Sequence, residues 1–249
     1  MNKYDIVHKI EEFAPLETQE GWDCSGWGVN IGIEPSPRGR VEAHNEHERI
    51  FEPRVGVNST DVHKILFALT VTDKIVQQAR EKSCDMIISH HPLFFIPFEW
   101  KDINIYSAHT NLDKAEGGTT DTLIKELGFE KSESYEYVRV VRLKSPITVE
   151  ELRQKLLKIS PNLRYVNNND TKLIKSIGFC AGSGSEFINE VDTDAFVTGD
   201  LKFHTALDAK QVVFDIGHFE SEIFAPKILK EITDVGEKGI IADEKSPFI

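Results

Sequence analysis

The feature that most constrains this chain is an alternation of short apolar runs and amphipathic helical stretches, joined by brief connections. KILFALT reads as a strand, TDKIVQQAREKS as a helix, CDMIISHH as a buried strand, INIYSAHT as another, and TTDTLIKELGF as a helix closed by Gly128. Strand, helix, strand in close succession requires crossover connections, so the expected fold class is α/β with a largely parallel sheet. The second half continues in the same style. YVRVVRL alternates as a strand does, and TVEELRQKLLKI is an amphipathic helix with a capping box from Thr148 and Glu151. LIKSIGFCAGSG runs as a strand into a Gly/Ser turn, SEFINEVD suggests a short helix, and DAFVTGD a strand. FHTALDAK reads as a helix with Asp200 as its N-cap and VVFDIGH as a further strand; ESEIFAPKILKEITDV is a helix that Pro226 must kink or interrupt.

Ahead of this alternation, Ile6, Val7, Ile10 and Phe13 form one helical stripe that stops at Pro15, and a short strand is expected around Val29–Ile33. Residues 34–60 are polar, carry three prolines and show little periodicity, which predicts a long loop with His44 and His47 in surface turns. One internal echo stands out. Asp85 to His90 and Asp194 to Gly199 each read as an acid, three apolar residues and a hydroxyl residue before a candidate functional turn. The echo favours two related lobes, 1–130 and 131–249, parted near the charged stretch GFEKSESYEY.

Composition excludes several function classes. The chain has 249 residues, 40% hydrophobic and 28% charged, a soluble globular balance. No window approaches 18 uninterrupted apolar residues, so no membrane span is expected, and MNKYDIVHKIEEF lacks the pattern of a secretory signal. Cys24, Cys84 and Cys180 are far apart and show no CxxC spacing, which points to a reducing, cytoplasmic setting rather than a thiolate zinc site. A formal net charge of −12 argues against nucleic acid as a partner.

The chemistry gathers where the predicted strands end, which is where open α/β sheets build their sites. His90 and His91 would point to opposite faces of a regular strand, but Pro92 ends it, so both can turn to one place. The alternative for each is a packed, hydrogen-bonded core histidine. In SAHTNLD, His109 and Asp113 sit in an irregular turn; Asp113 equally fits a turn residue and His109 a partner behind a ligand. In DIGHFESE, His218 and Glu222 lie at i and i+4, one helix face if the helix begins near Gly217, although such pairs are commoner on solvated faces. His204, one turn beyond TGD, is a further candidate for the same cleft. Together His90, His91, Asp113, His218 and Glu222 supply three imidazoles and two carboxylates, a set suited to two divalent ions that activate water for hydrolysis. Such donors accept Zn, Mn, Fe, Co or Ni.

At GWDCSGWGVNIG, DMIISHHPLFF, YSAHTNLDKAEGG, FCAGSGSEFI, DAFVTGDLKFHTALDA and DIGHFESE the chain resembles the Nif-three-like family, also called the GTP cyclohydrolase I type 2 homolog family. The resemblance implies two similar, intertwined α/β lobes with a dinuclear metal site in the cleft between them, the C-terminal strand and helix returning to that cleft, and a homohexamer. By motif position His90, His91, Asp113, His218 and Glu222 would be the ligands, and His109 or His204 would move protons or orient them. The function it implies is hydrolysis of a small-molecule substrate, a nucleotide by the family's label. The alternative is a non-catalytic metal-binding scaffold or regulator. Two departures from the family pattern bear on activity: Cys24 follows Asp23 where Asn is usual, and Thr70 stands where Asp is usual.

Overall fold

Helix α1 (Lys3–Phe13) forms on the expected stripe. Ile6, Val7 and Ile10 are buried, the Asn2 side chain caps the start by accepting the Tyr4 N–H, and Pro15 follows the last hydrogen bond. The computed structural model describes residues 1–32 and 60–248. Two compact units divide the chain: Met1–Leu112 with Pro226–Glu244, and Asp113–Ala225 with Lys245–Ile249. The expected division after residue 130 differs from this at both boundaries. The charged stretch 128–137 is a connection inside the second unit, and residues 226–244 return to the first.

In the first unit, β1 (Gly26–Val29), β2 (Ile65–Thr70), β3 (Met86–His91), β4 (Asn104–Ser107) and β11 (Gly239–Ile241) form one sheet in the order β1-β4-β3-β2-β11. All neighbours are parallel except β1 against β4. Both faces of β2 and β3 are buried, as parallel strands flanked by helices require. Helix α2 (Asp73–Glu81), capped by the Thr72 hydroxyl, crosses from β2 to β3 and packs Ile75, Val76 and Ala79 against Leu66, Ile87 and Ile105. The strand expected near Val29–Ile33 lies earlier, at 26–29, and Ile33 is outside the described residues, as are positions 34–59 of the predicted loop, with His44 and His47.

The second unit holds a sheet in the order β5-β6-β8-β9-β10-β7, made of β5 (Glu133–Tyr135), β6 (Val138–Thr148), β7 (Arg164–Val166), β8 (Leu173–Ser183), β9 (Ala195–Gly199) and β10 (Val212–Asp215). Only β8, β9 and β10 are mutually parallel, so this sheet is mixed rather than largely parallel. The outer strands are half solvated, which an antiparallel edge tolerates. Helix α3 (Thr110–Lys114) contains the boundary between the units. Helix α4 (Thr119–Glu126) ends at Gly128, whose φ of 74° permits the N–H of Phe129 to reach Ile124 O. Helix α5 (Val149–Leu156) carries the capping box of Thr148 and Glu151.

Two expectations are corrected here. SEFINEVD is a run of turns, with Phe187 bonding back to Gly184 and Glu190 to Phe187, and the Ser185 hydroxyl is drawn to Asp200 O. Asp200 does not cap α6 (Phe203–Asp208), whose N-cap is Lys202; Asp200 has φ 53° and another partner. Of the two outcomes expected at Pro226 the helix is interrupted, leaving α7 (His218–Glu222) and α8 (Ala225–Thr233).

The echo is physical. Asp85 accepts the backbone N–H groups of His63 and Lys64 and donates its own to Lys64 O. Asp194 accepts those of Lys175 and Ser176 and donates to Ser176 O. In each unit an aspartate thus locks the middle parallel strand to its predecessor.

Candidate functional site

In the first unit, β3 delivers two imidazoles and the turn after β4 a third. His90, fully buried, directs Nδ1 at Ala108 O (2.8 Å), so that nitrogen carries the proton and donates. His91 places Nδ1 2.6 Å from the Thr70 hydroxyl, its register partner on β2. His109 donates from Nδ1 to Asp23 Oδ1 (2.9 Å). The three rings lie 5.0–5.6 Å apart, and one nitrogen from each falls within 4.8 Å of the others, a group that can hold a metal ion. Pro92 follows as the sequence suggests, and β3 stops at His91.

Asp23 is the hub behind His109. It is buried, and it accepts from the Cys24 and Thr110 N–H groups and the Ser25 and Thr110 hydroxyls as well as from His109. Burial alone would raise its pKa, but the bonds from His109 and Thr110 outweigh it and hold the carboxyl well below the usual range. Cys24 takes part through its backbone N–H; burial and the Asp23 charge push its thiol pKa up.

In the second unit, Gly217 (φ 85°) starts α7, and the i,i+4 pair lies on one face: His218 Nε2 is 3.0 Å from Glu222 Oε2. His218 Nδ1 donates to Asp200 Oδ2 at 2.7 Å. The Glu222 bond is the main cause that raises the His218 pKa to about 10, with Asp200 adding to it against the cost of burial. Glu222 is itself buried and sits over Gly182 (φ 68°), where a Cβ would collide with its carboxylate. Asp113 accepts the Thr119 hydroxyl (2.5 Å). Arg139, almost fully buried, pairs with Asp121 and donates to the carbonyls of Lys114 and Ala115, closing the end of α3 beside Asp113. Burial raises the pKa of the Cys180 thiol strongly, and the carboxylates of Asp113 and Glu222 add to it. His204 is exposed on α6 with its ring edge against Phe203. The turn at 182–186 spends the N–H of Gly182 on Ser221 and that of Gly184 on Thr198.

The donors fit a divalent ion. A ligating histidine normally donates its other ring N–H to a carbonyl or carboxylate, and His90 and His218 each do so through Nδ1. Sequence reasoning missed Asp23, Asp200 and the Ala108 carbonyl as anchors.

Fold and donors together define an α/β protein of two sheet-bearing units whose histidines and carboxylates form clusters able to bind metal. The chain belongs to the Duf34/NIF3 (NGG1p interacting factor 3) family, whose model matches residues 54–238. It is 32% identical to the GTP cyclohydrolase 1 type 2 homolog of Clostridium perfringens, over 100% of this chain and 99% of that protein. It is 28% identical to NIF3-like protein 1 of Drosophila melanogaster, over 82% of this chain and 70% of that one. A hypothetical protein of Staphylococcus aureus shares the fold with a TM-score of 0.75 at 22% identity, covering 100% and 99% of the two chains. No helix among the described residues is long and apolar enough to cross a membrane.

Proposed function

We propose that this protein is a metal-dependent hydrolase of a small molecule, a nucleotide by the name its relatives carry, with two divalent ions held by His90, His91, Asp113, His218 and Glu222. The observation that carries the reading is the shared anchoring of the imidazoles. Nδ1 of His90, His91 and His218 is engaged by Ala108, Thr70 and Asp200 in turn, the outer anchoring that a ligating imidazole normally has. Divalent ions supply Lewis acidity, which makes water a nucleophile near neutral pH and polarises an electrophilic carbon or phosphorus. The chain's own groups do the rest. Asp23 fixes the tautomer of His109, which leaves His109 Nε2 to hold or move a proton beside His90 and His91. Asp200 orients His218, and Arg139 secures the helix end that carries Asp113. A homohexamer in the cytoplasm belongs to the same reading.

One observation favours a second reading, a metal-binding scaffold without turnover. The 182–186 turn offers no open backbone cradle at Gly182 or Gly184 for a phosphate. A single experiment separates the two: metal per chain is measured, and nucleotides and phosphoesters are screened with added Mn, Fe or Zn. Turnover that disappears in His91→Ala and Glu222→Ala supports the hydrolase. Stoichiometric metal with no turnover of any substrate supports the scaffold, and unchanged metal content in both variants sinks the ligand assignment.

A further inference from the structure

Strand β11 stops at Ile241, but the chain continues along β2 by other means. Ala242 N–H donates to Phe67 O (2.8 Å), and the backbone of Asp243 exchanges two hydrogen bonds with the Gln78 amide on α2 (2.8 and 3.0 Å). Glu244 then turns its side chain onto the strand end: Oε1 accepts the Leu69 N–H at 2.6 Å and Oε2 the Thr70 N–H at 3.1 Å. A half-buried carboxylate therefore takes the place of ladder carbonyls over the last two residues of β2. Hydrogen bonds to a charged acceptor are shorter and stronger than neutral ones, so two of them on adjacent amides fix the local backbone tightly. Fixing the backbone at Thr70 fixes the direction of its Cα–Cβ bond, and the Thr70 hydroxyl is the partner of His91 Nδ1 at 2.6 Å.

We propose that Glu244 is a positioning residue for His91: by clamping the amides of Leu69 and Thr70 it holds the Thr70 hydroxyl on His91 Nδ1 and so aims His91 Nε2. The consequence for metal rests on His91 being a ligand; the alignment of the ring does not. Glu244 lies 153 positions beyond His91 in the chain, outside every motif around the histidines.

The test compares wild type with Glu244→Ala, Glu244→Gln, Thr70→Val, Gln78→Ala and the double variant Thr70→Val/Glu244→Ala. Zn2+ affinity is measured by calorimetric titration, and the ring 15N shifts of His91 are read by NMR on metal-free protein. Glu244→Ala and Thr70→Val are each expected to weaken Zn2+ binding about tenfold, the scale of an outer partner's loss. The double variant should lose no more than the worse single one, because both act through one hydrogen bond. Glu244→Gln, which keeps one acceptor oxygen, should fall between wild type and Glu244→Ala, and it serves in place of the alanine variant if that one fails to fold. Gln78→Ala loosens the same segment without touching β2's end, and it should leave both readouts near wild type. Wild-type ring shifts in Glu244→Ala, multiplicative losses in the double variant, or an equal effect of Gln78→Ala would each overturn the proposal. The ligand reading fails separately, if His91→Ala leaves Zn2+ affinity unchanged; the ring shifts then still decide whether Glu244 aligns His91.

Discussion

The two units share a three-strand parallel core in the same register, Ile65↔Met86↔Asn104 in the first and Ile177↔Ala195↔Val212 in the second, yet the middle strands end differently. After Ser89, β3 continues into His90 and His91; after the equivalent Thr198, β9 ends at Gly199 and Asp200 follows in a bend. A Cβ on Gly199 would stand 2.7 Å from the backbone nitrogen of His218. The missing side chain is what lets α7 approach the strand end. One scaffold position thus provides donors directly in the first unit, and in the second it makes room for a helix that brings them. Asp200, at the place of His91, has become the anchor of a donor instead.

That contrast can be broken by experiment, beginning with the largest effect. Replacing His91 by alanine should reduce Zn2+ affinity beyond the roughly 10–100-fold that an outer partner costs, whereas Asp200→Ala should stay within that range. Equal losses, measured by calorimetric titration, would erase the distinction between donor and anchor. Gly199→Ala should destabilise the fold by about 1–3 kcal/mol in urea unfolding, because backbone rather than a movable side chain fills the space. An unperturbed midpoint would mean that α7 does not need the glycine. The aspartates that lock the two middle strands sharpen the likeness: Asp85→Ala and Asp194→Ala should each cost about 1–3 kcal/mol, and similarly, since each leaves backbone N–H groups without their acceptor.

A further effect is one of pH in the metal-free protein, and it should divide the units. Asp23, held below its unfolded value, stabilises the first unit above about pH 4, and that contribution is lost as pH falls toward its folded pKa. His218, raised to about 10, stabilises the second unit fully below its unfolded value of about 6.5, and the contribution fades as pH rises through 10. All three tryptophans, Trp22, Trp27 and Trp100, belong to the first unit. Their fluorescence should follow the acid transition, while amide exchange in α7 and β9 reports the alkaline one. A fluorescence change confined to the alkaline side would contradict the assignment.

The features legible in the sequence share one property: they are local. His90-His91-Pro92 announces a strand end, and His218 and Glu222 with Gly217 announce one helix face, because a proline, a glycine and a four-residue spacing act within a turn. The anchors were not legible because they act at a distance. Asp23 meets His109 across 86 residues, and Ala108 serves His90 through a carbonyl that any residue possesses. Asp200 had the look of a helix cap, since an aspartate after Gly199 and before a helical run suits that role as well. The mixed sheet of the second unit was hidden for a similar reason. Its strands β5 and β7 are three residues each, too short to show a period, and pairing partners alone make them strands.

The return of residues 226–244 to the first unit also sets an order of events during synthesis. Ile65, Leu66 and Phe67 of β2 are fully buried and pair on one side with β11, which leaves the ribosome only after the whole parallel core of the second unit has been made. Until then the nascent chain carries an apolar strand with one open edge, the kind that pairs with a neighbouring chain. The unit begun first is therefore the one whose sheet is completed last, and a ribosome that stalls late in the message releases a chain whose second unit holds all its strands while the first still lacks an edge.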